Sequence, residues 1–112
     1  MKIYGVRVWV DDMAAAKRFY GETLGLKAKW EMAVAVGYDL GIDLIVELDE
    51  GGEDSLVGRF VGVSIQVDDI QATYEALKAR GVPFLAPPEK MSWGGTLAHF
   101  KDPAGNTLTL MQ

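Results

Sequence analysis

The chain contains no cysteine among its 112 residues. That excludes a disulfide framework, a thiolate site and a zinc knuckle. No apolar run approaches the length needed to cross a bilayer, and the opening Met1-Lys2-Ile3-Tyr4 is already strand-like, without the apolar stretch and cleavage site of a signal peptide. A soluble, cytoplasmic protein with no membrane partner is expected. There is no basic patch: 16 acidic residues face 11 basic ones, giving a net charge of -5 and a pI of about 4.7, so no nucleic-acid partner is expected. Neither a Gly-x-Gly-x-x-Gly pattern nor a phosphate loop occurs. No Cys-His pair is possible, and Ser64 has no evident base partner.

What is present is a core-forming composition, 49% hydrophobic, in a length that suits one compact domain. It is organised by a repeat. Val6-Arg7-Val8-Trp9-Val10-Asp11-Asp12-Met13 returns 57 positions later as Val63-Ser64-Ile65-Gln66-Val67-Asp68-Asp69-Ile70. Each copy is an alternating strand running into two aspartates, then about three helical turns and a Gly-aliphatic pair, Gly25-Leu26 and Gly81-Val82. Asp12 and Asp69 fit N-cap positions. The first helix is expected to reach about Leu24 with Ala16, Phe19, Tyr20, Thr23 and Leu24 on its stripe, and the second buries Ile70, Tyr74 and Leu77. Residues 27–32 and 33–38 read as a hairpin, and 42–48 as a further strand. The acidic, glycine-rich 49–59 stretch reads as a solvated connection, since its spacing does not match a calcium loop. In module two Pro83 suits a strand start, Pro87-Pro88-Glu89-Lys90 a loop or edge, 95–101 and 107–111 strands, and 102–106 a turn.

Two β-α-β-β-β modules follow: module one at 1–48, a linker at 49–60 and module two at 61–112. Period-2 alternation divides each strand into an aliphatic helix-facing set and a second face. The second face carries Gly5, Arg7, Trp9, Asp43, Ile45, Glu47, Gly62, Ser64, Gln66, Thr107, Thr109 and Met111. Trp9, Ile45 and Met111 are poor choices for open water, which favours a cavity there, with room left by Gly5 and Gly62. His99, the single histidine, falls on the same face with Leu97, opposite Ala98 and Phe100.

The chain resembles the vicinal oxygen chelate superfamily, which includes glyoxalase I, extradiol dioxygenases and the fosfomycin- and bleomycin-resistance proteins. The resemblance rests on Val10-Asp11-Asp12-Met13 with Ala16, Phe19-Tyr20 and Leu24-Gly25-Leu26, and on Phe100-Lys101-Asp102-Pro103-Ala104-Gly105-Asn106 with Leu108. It implies an α+β fold in which two βαβββ modules form a curved, open-barrel mixed sheet with helices on the outer face. It also implies a homodimer. The superfamily's divalent-metal ligands carry over to Gly5, Glu47, Gly62 and Thr109, of which only Glu47 can serve. No metal and no other cofactor is therefore expected.

The favoured reading is a binding protein that sequesters an aromatic or cationic small molecule, the acidic balance agreeing with a cationic one. Arg7, Trp9, Ile45, Ser64, Gln66, Trp93, Thr109 and Met111 are the expected ligand contacts, and Arg7, Trp9, Glu47, Gln66, His99 and Thr109 are expected to converge on one concave surface floored by Gly5 and Gly62. The alternative is a glyoxalase-like lyase, isomerase or dioxygenase. It would use Glu47 and His99 as acid–base groups, or a non-standard metal site including Asp43.

Overall fold

The computed structural model describes residues 1–112. Module one consists of β1 (Gly5–Val10), α1 (Met13–Lys17) continuing as a π-helical stretch Arg18–Thr23, β2 (Ala28–Met32), β3 (Ala35–Asp39) and β4 (Asp43–Leu48). Module two repeats the order with β5 (Phe60–Gln66), α2 (Ile70–Ala79), β6 (Glu89–Lys90), β7 (Thr96–Lys101) and β8 (Thr107–Met111). Each module forms its own four-stranded mixed sheet, β1-β4-β3-β2 and β5-β8-β7-β6, and neither sheet closes. The first strand of each module runs parallel to the last, which requires the intervening helix to cross over one sheet face.

Both helix starts are capped alike. Asp12 Oδ1 accepts from the Ala15 amide at 3.0 Å, and Asp69 Oδ1 from the Ala72 amide at 3.0 Å. Each aspartate has extended backbone, which ends the strand and satisfies a donor that the first helical turn leaves unpaired.

The first helix departs from the regular spacing expected. After Lys17 it widens, and the Leu24 amide bonds back to the Phe19 carbonyl, an i−5 pairing. The wider turn lets the neighbouring aromatics Phe19 and Tyr20 both enter the core. Pro83 does not begin a strand: Phe84 makes only an isolated bridge to Phe100, and regular pairing on that edge is limited to Glu89 and Lys90. The prolines cannot donate ladder hydrogen bonds, so the run follows β7 irregularly.

The aliphatic faces of both sheets meet in one core. Val8, Val10, Leu44 and Val46 from module one join Ala98, Phe100, Leu108 and Leu110 from module two, with Phe19, Tyr20, Ile70 and Leu77 of the helical segments. Phe19 packs on Phe100 of the other module, ring centroids 6.3 Å apart. The helices thus share the space on the aliphatic side of both sheets, and the second faces turn away from that core. β1 and β5 each have one neighbour and so one free edge.

Candidate functional site

On the second face of module one, the register sets Gly5 beside Asp43, Arg7 beside Ile45 and Trp9 beside Glu47. Arg7 and Glu47 form a two-pronged ion pair, Nε to Oε1 and Nη2 to Oε2, both 2.8 Å. The Arg7 guanidinium also stacks over the Trp9 ring, 4.7 Å from its centroid. Hydrogen bonding by Arg7, then its charge, holds the Glu47 carboxyl below its ordinary range, and Glu47 raises Arg7 in return. Glu47 is therefore an ion-paired carboxylate, without the raised pKa that would make it a proton shuttle near neutrality.

A second pair lies beside it. Lys29 Nζ meets Asp43 Oδ1 at 2.7 Å, and Trp30 Nε1 donates to Asp43 Oδ2 at 3.0 Å. The Lys29 hydrogen bond, followed by that of Trp30, lowers the Asp43 pKa. The Trp30 ring lies over Gly37, where any Cβ would collide with it. Trp30 and Lys29 belong to this face, and sequence reasoning assigned neither to the site. A bulge turns Lys29 inward: pairing slips between Ala28 and Trp30, so Lys29 and Trp30 together oppose a single step of β3. Strict alternation would send Lys29 to the other side. The one available signal was Trp30 on a strand pairing toward Gly37.

On module two, His99 sits opposite Thr109, and its Nδ1 is 2.7 Å from Thr109 Oγ1. Ser64 pairs with Thr109, and Gln66 with Met111. Phe60, placed in the linker by its sequence context, lies within β5 and meets His99 edge-on, centroids 5.8 Å apart. Trp93 is exposed in the loop before β7 with its ring over Gly95. Within one chain Arg7, Trp9, Ile45 and Glu47 are together on one sheet, and Ser64, Gln66, His99, Thr109 and Met111 on the other. No hydrogen bond or ion pair joins the two sets.

The two glycines differ in kind. A Cβ on Gly5 would lie 2.5 Å from the Asp43 carbonyl oxygen, so β1 needs glycine for its approach to β4. Gly62 has space around it but a φ of +69°, where a side chain is strained. It sits where the β5–β8 register shifts. Its neighbourhood forms a cavity of about 440 Å³ between the sheets, lined by Val6, Leu44, Val61, Val63 and Ile65 among others. Ser64 and Gln66, two of the expected ligand contacts, also line it, whereas Arg7 and Glu47 do not.

The metal site implied by the resemblance does not fit these residues. Gly5 and Gly62 offer no donor, the Thr109 hydroxyl is engaged with His99, and both Glu47 oxygens are engaged with Arg7. No three His, Asp or Glu side chains are placed to hold an ion.

Residues 2–110 match the Glyoxalase/Bleomycin resistance protein/Dioxygenase superfamily. The chain belongs to that superfamily. A superfamily member from Sphaerobacter thermophilus superimposes with a TM-score of 0.88 at 29% identity, covering 99% of this chain and 96% of that one. The uncharacterised YetH of Bacillus subtilis is 30% identical over 96% of this chain and 94% of its own. A probable lactoylglutathione lyase of Vibrio parahaemolyticus is 35% identical over 92% of this chain and 84% of its own. The unclosed pair of four-stranded mixed sheets, each with a crossover helix, is the glyoxalase/bleomycin-resistance architecture. No helix is long and apolar enough to cross a membrane.

Proposed function

We propose that the chain is a small-molecule binding protein of the glyoxalase/bleomycin-resistance type that takes an aromatic ligand without a bound metal ion. The observation carrying this reading is the Arg7–Glu47 pair. It commits the one family-type ligand present to an internal partner, on a face paved by Trp9, Trp30 and Ile45. We further propose a homodimer. Each second face is half a cavity, and a second copy that sets its β5–β8 face against β1–β4 completes it, bringing Ser64, Gln66, His99, Thr109 and Met111 of one chain to Arg7, Trp9, Ile45 and Glu47 of the other. The free edges of β1 and β5 are where two such sheets would adjoin. Trp93, on an exposed loop between Ser92 and Gly94, is the proposed outer contact.

The competing reading is a lyase of the kind named for the Vibrio relative. It is favoured by His99, whose Nδ1 is held by Thr109 while Nε2 has no partner and is free to exchange a proton with a ligand. One set of measurements separates them. The binding reading expects a dimer by sedimentation, no stoichiometric metal in protein purified without chelator or affinity tag, and no S-lactoylglutathione formation with added nickel or zinc. An equimolar ion together with an activity that chelation abolishes would replace it with the enzyme reading.

A further inference from the structure

We infer that the Arg7–Trp9–Trp30–Lys29 face of module one is a receptor for a planar aromatic anion, a carboxylate on a fused or extended ring. The inference rests on the binding reading above and adds the sign of the ligand's charge. Although the chain as a whole is acidic, this face presents its positive groups outward. In both ion pairs of this face the cation is the more exposed partner: 57% for the Arg7 side chain against 23% for Glu47, and 49% for Lys29 against 6% for Asp43. The carboxylates lie against the sheet and the cations lie over them.

Hydrogen-bond capacity points the same way. Arg7 spends Nε and one hydrogen of Nη2 on Glu47, leaving Nη1 and the other Nη2 hydrogen without a partner. Lys29 gives one hydrogen to Asp43 and keeps two. The acidic oxygens are engaged: both of Glu47 by Arg7, and those of Asp43 by Lys29 and Trp30. An arriving ligand therefore meets unspent N–H donors on cations, and a carboxylate supplies the matching acceptors. A cationic ligand would have to displace Arg7 or Lys29 from its carboxylate.

The flat part has its place too. Arg7, Ile45, Gly37 and Trp30 share one rung across the sheet, a row of roughly 14 Å at ~4.8 Å per strand spacing. Ile45 is buried on this rung between Arg7 and Gly37, and the Trp30 ring covers Gly37. A ring system resting on Ile45 and Trp30 places its carboxylate at the free edge of Arg7 or beside Lys29. The net charge of -5 opposes anions only weakly at this range: at physiological salt, charges beyond about 8 Å are screened, so the nearby guanidinium and ammonium dominate.

The test compares two probes of one shape, 2-naphthoate and 2-naphthylmethylammonium, titrated calorimetrically into the full chain at 0.15 M salt. The expected result is saturable naphthoate binding at least tenfold tighter than that of the ammonium. Arg7→Met combined with Glu47→Gln removes the cation without leaving a lone carboxylate. It should weaken naphthoate tenfold or more and so remove most of its preference over the ammonium probe. Equal or tighter ammonium binding by the wild-type chain would overturn the anion assignment while leaving the binding reading intact. Binding of neither probe would overturn both.

Discussion

The Tyr20 hydroxyl donates a 2.7 Å hydrogen bond to Asp102 Oδ2 across 82 residues of sequence, fully inside the core. It ties the helical segment of module one to the β7–β8 turn of module two. Asn106 completes the arrangement. Its amide nitrogens donate to both Asp102 oxygens, its Nδ2 also to the Trp9 carbonyl, and its Oδ1 accepts from the amides of Gly58 and Arg59. Burial, and then the Asp102 charge, push the Tyr20 phenol far above its ordinary range, so it stays a donor at any working pH.

Removing parts of this network should therefore cost stability in order of the partners stranded. Tyr20→Phe takes one bond from a carboxylate that keeps its Asn106 donors, at about 1–2 kcal/mol. Asn106→Ala strands two amides, a carbonyl and part of Asp102 at once and should cost more, about 3 kcal/mol or above. Urea denaturation of both variants checks the ranking, and equal losses would count against the network.

The two caps should behave as equivalents. Asp12→Ala and Asp69→Ala are each expected to lose about 1 kcal/mol in thermal or urea unfolding, because each removes one 3.0 Å bond of the same kind. A neutral result at both positions would argue against the repeated strand-cap-helix unit.

Gly5 and Gly62 should differ when substituted. Gly62→Ala meets no neighbour closer than 3.9 Å and should cost about 1 kcal/mol, the ordinary penalty for a side chain at positive φ. Gly5→Ala forces β1 off the Asp43 carbonyl and should cost more, about 2–3 kcal/mol. It should also disturb the neighbouring Lys29–Asp43 pair. Melting curves of the two variants, with Trp30 fluorescence as the local probe, give the comparison. Restoring a histidine at position 5 to rebuild a metal site would meet the same collision.

Acid should remove a defined part of the stability. Glu47 and Asp43 titrate below their ordinary values of 4.5 and 3.8 in the folded chain, through Arg7 and through Lys29 with Trp30. A depressed folded pKa means the unfolded chain binds protons first. The stabilisation is therefore complete above the ordinary carboxylate range and is lost as pH falls through and below it. Glu47→Gln combined with Asp43→Asn should flatten the fall in melting temperature between pH 6 and pH 3, while salt near neutrality should have little effect on either protein. An unchanged acid slope would show that neither pair responds as described.

Local chemistry made much of the fold legible in advance. Residues that act through their own backbone or their own strand carry their meaning with them. Asp12 and Asp69 cap because a short carboxylate reaches an amide three residues on. Val8, Leu44, Ala98 and Leu110 are buried because alternation leaves them one face. The 102–106 turn reads as a turn because Pro103 and Gly105 punctuate it, and Gly105 takes a φ of +87°. The same alternation puts Arg7, Trp9 and Glu47 on one side of one sheet.

What the chain did not reveal locally depends on neighbours distant in sequence. The bulge that turns Lys29 to Asp43 is a matter of how β2 pairs with β3. The widening after Lys17 is a matter of fitting both Phe19 and Tyr20 against Tyr38, Phe100 and Asp102. That Gly5 is crowded and Gly62 merely strained follows from a close strand on one side and a register shift on the other. Above all, alternation says which residues share a face but not where that face points. The meeting of both aliphatic faces in one core, through packing such as Phe19 on Phe100, sends the Arg7 face and the His99 face outward from it. A strand encodes its two sides within itself, whereas the direction in which a whole sheet turns is decided only by what covers it.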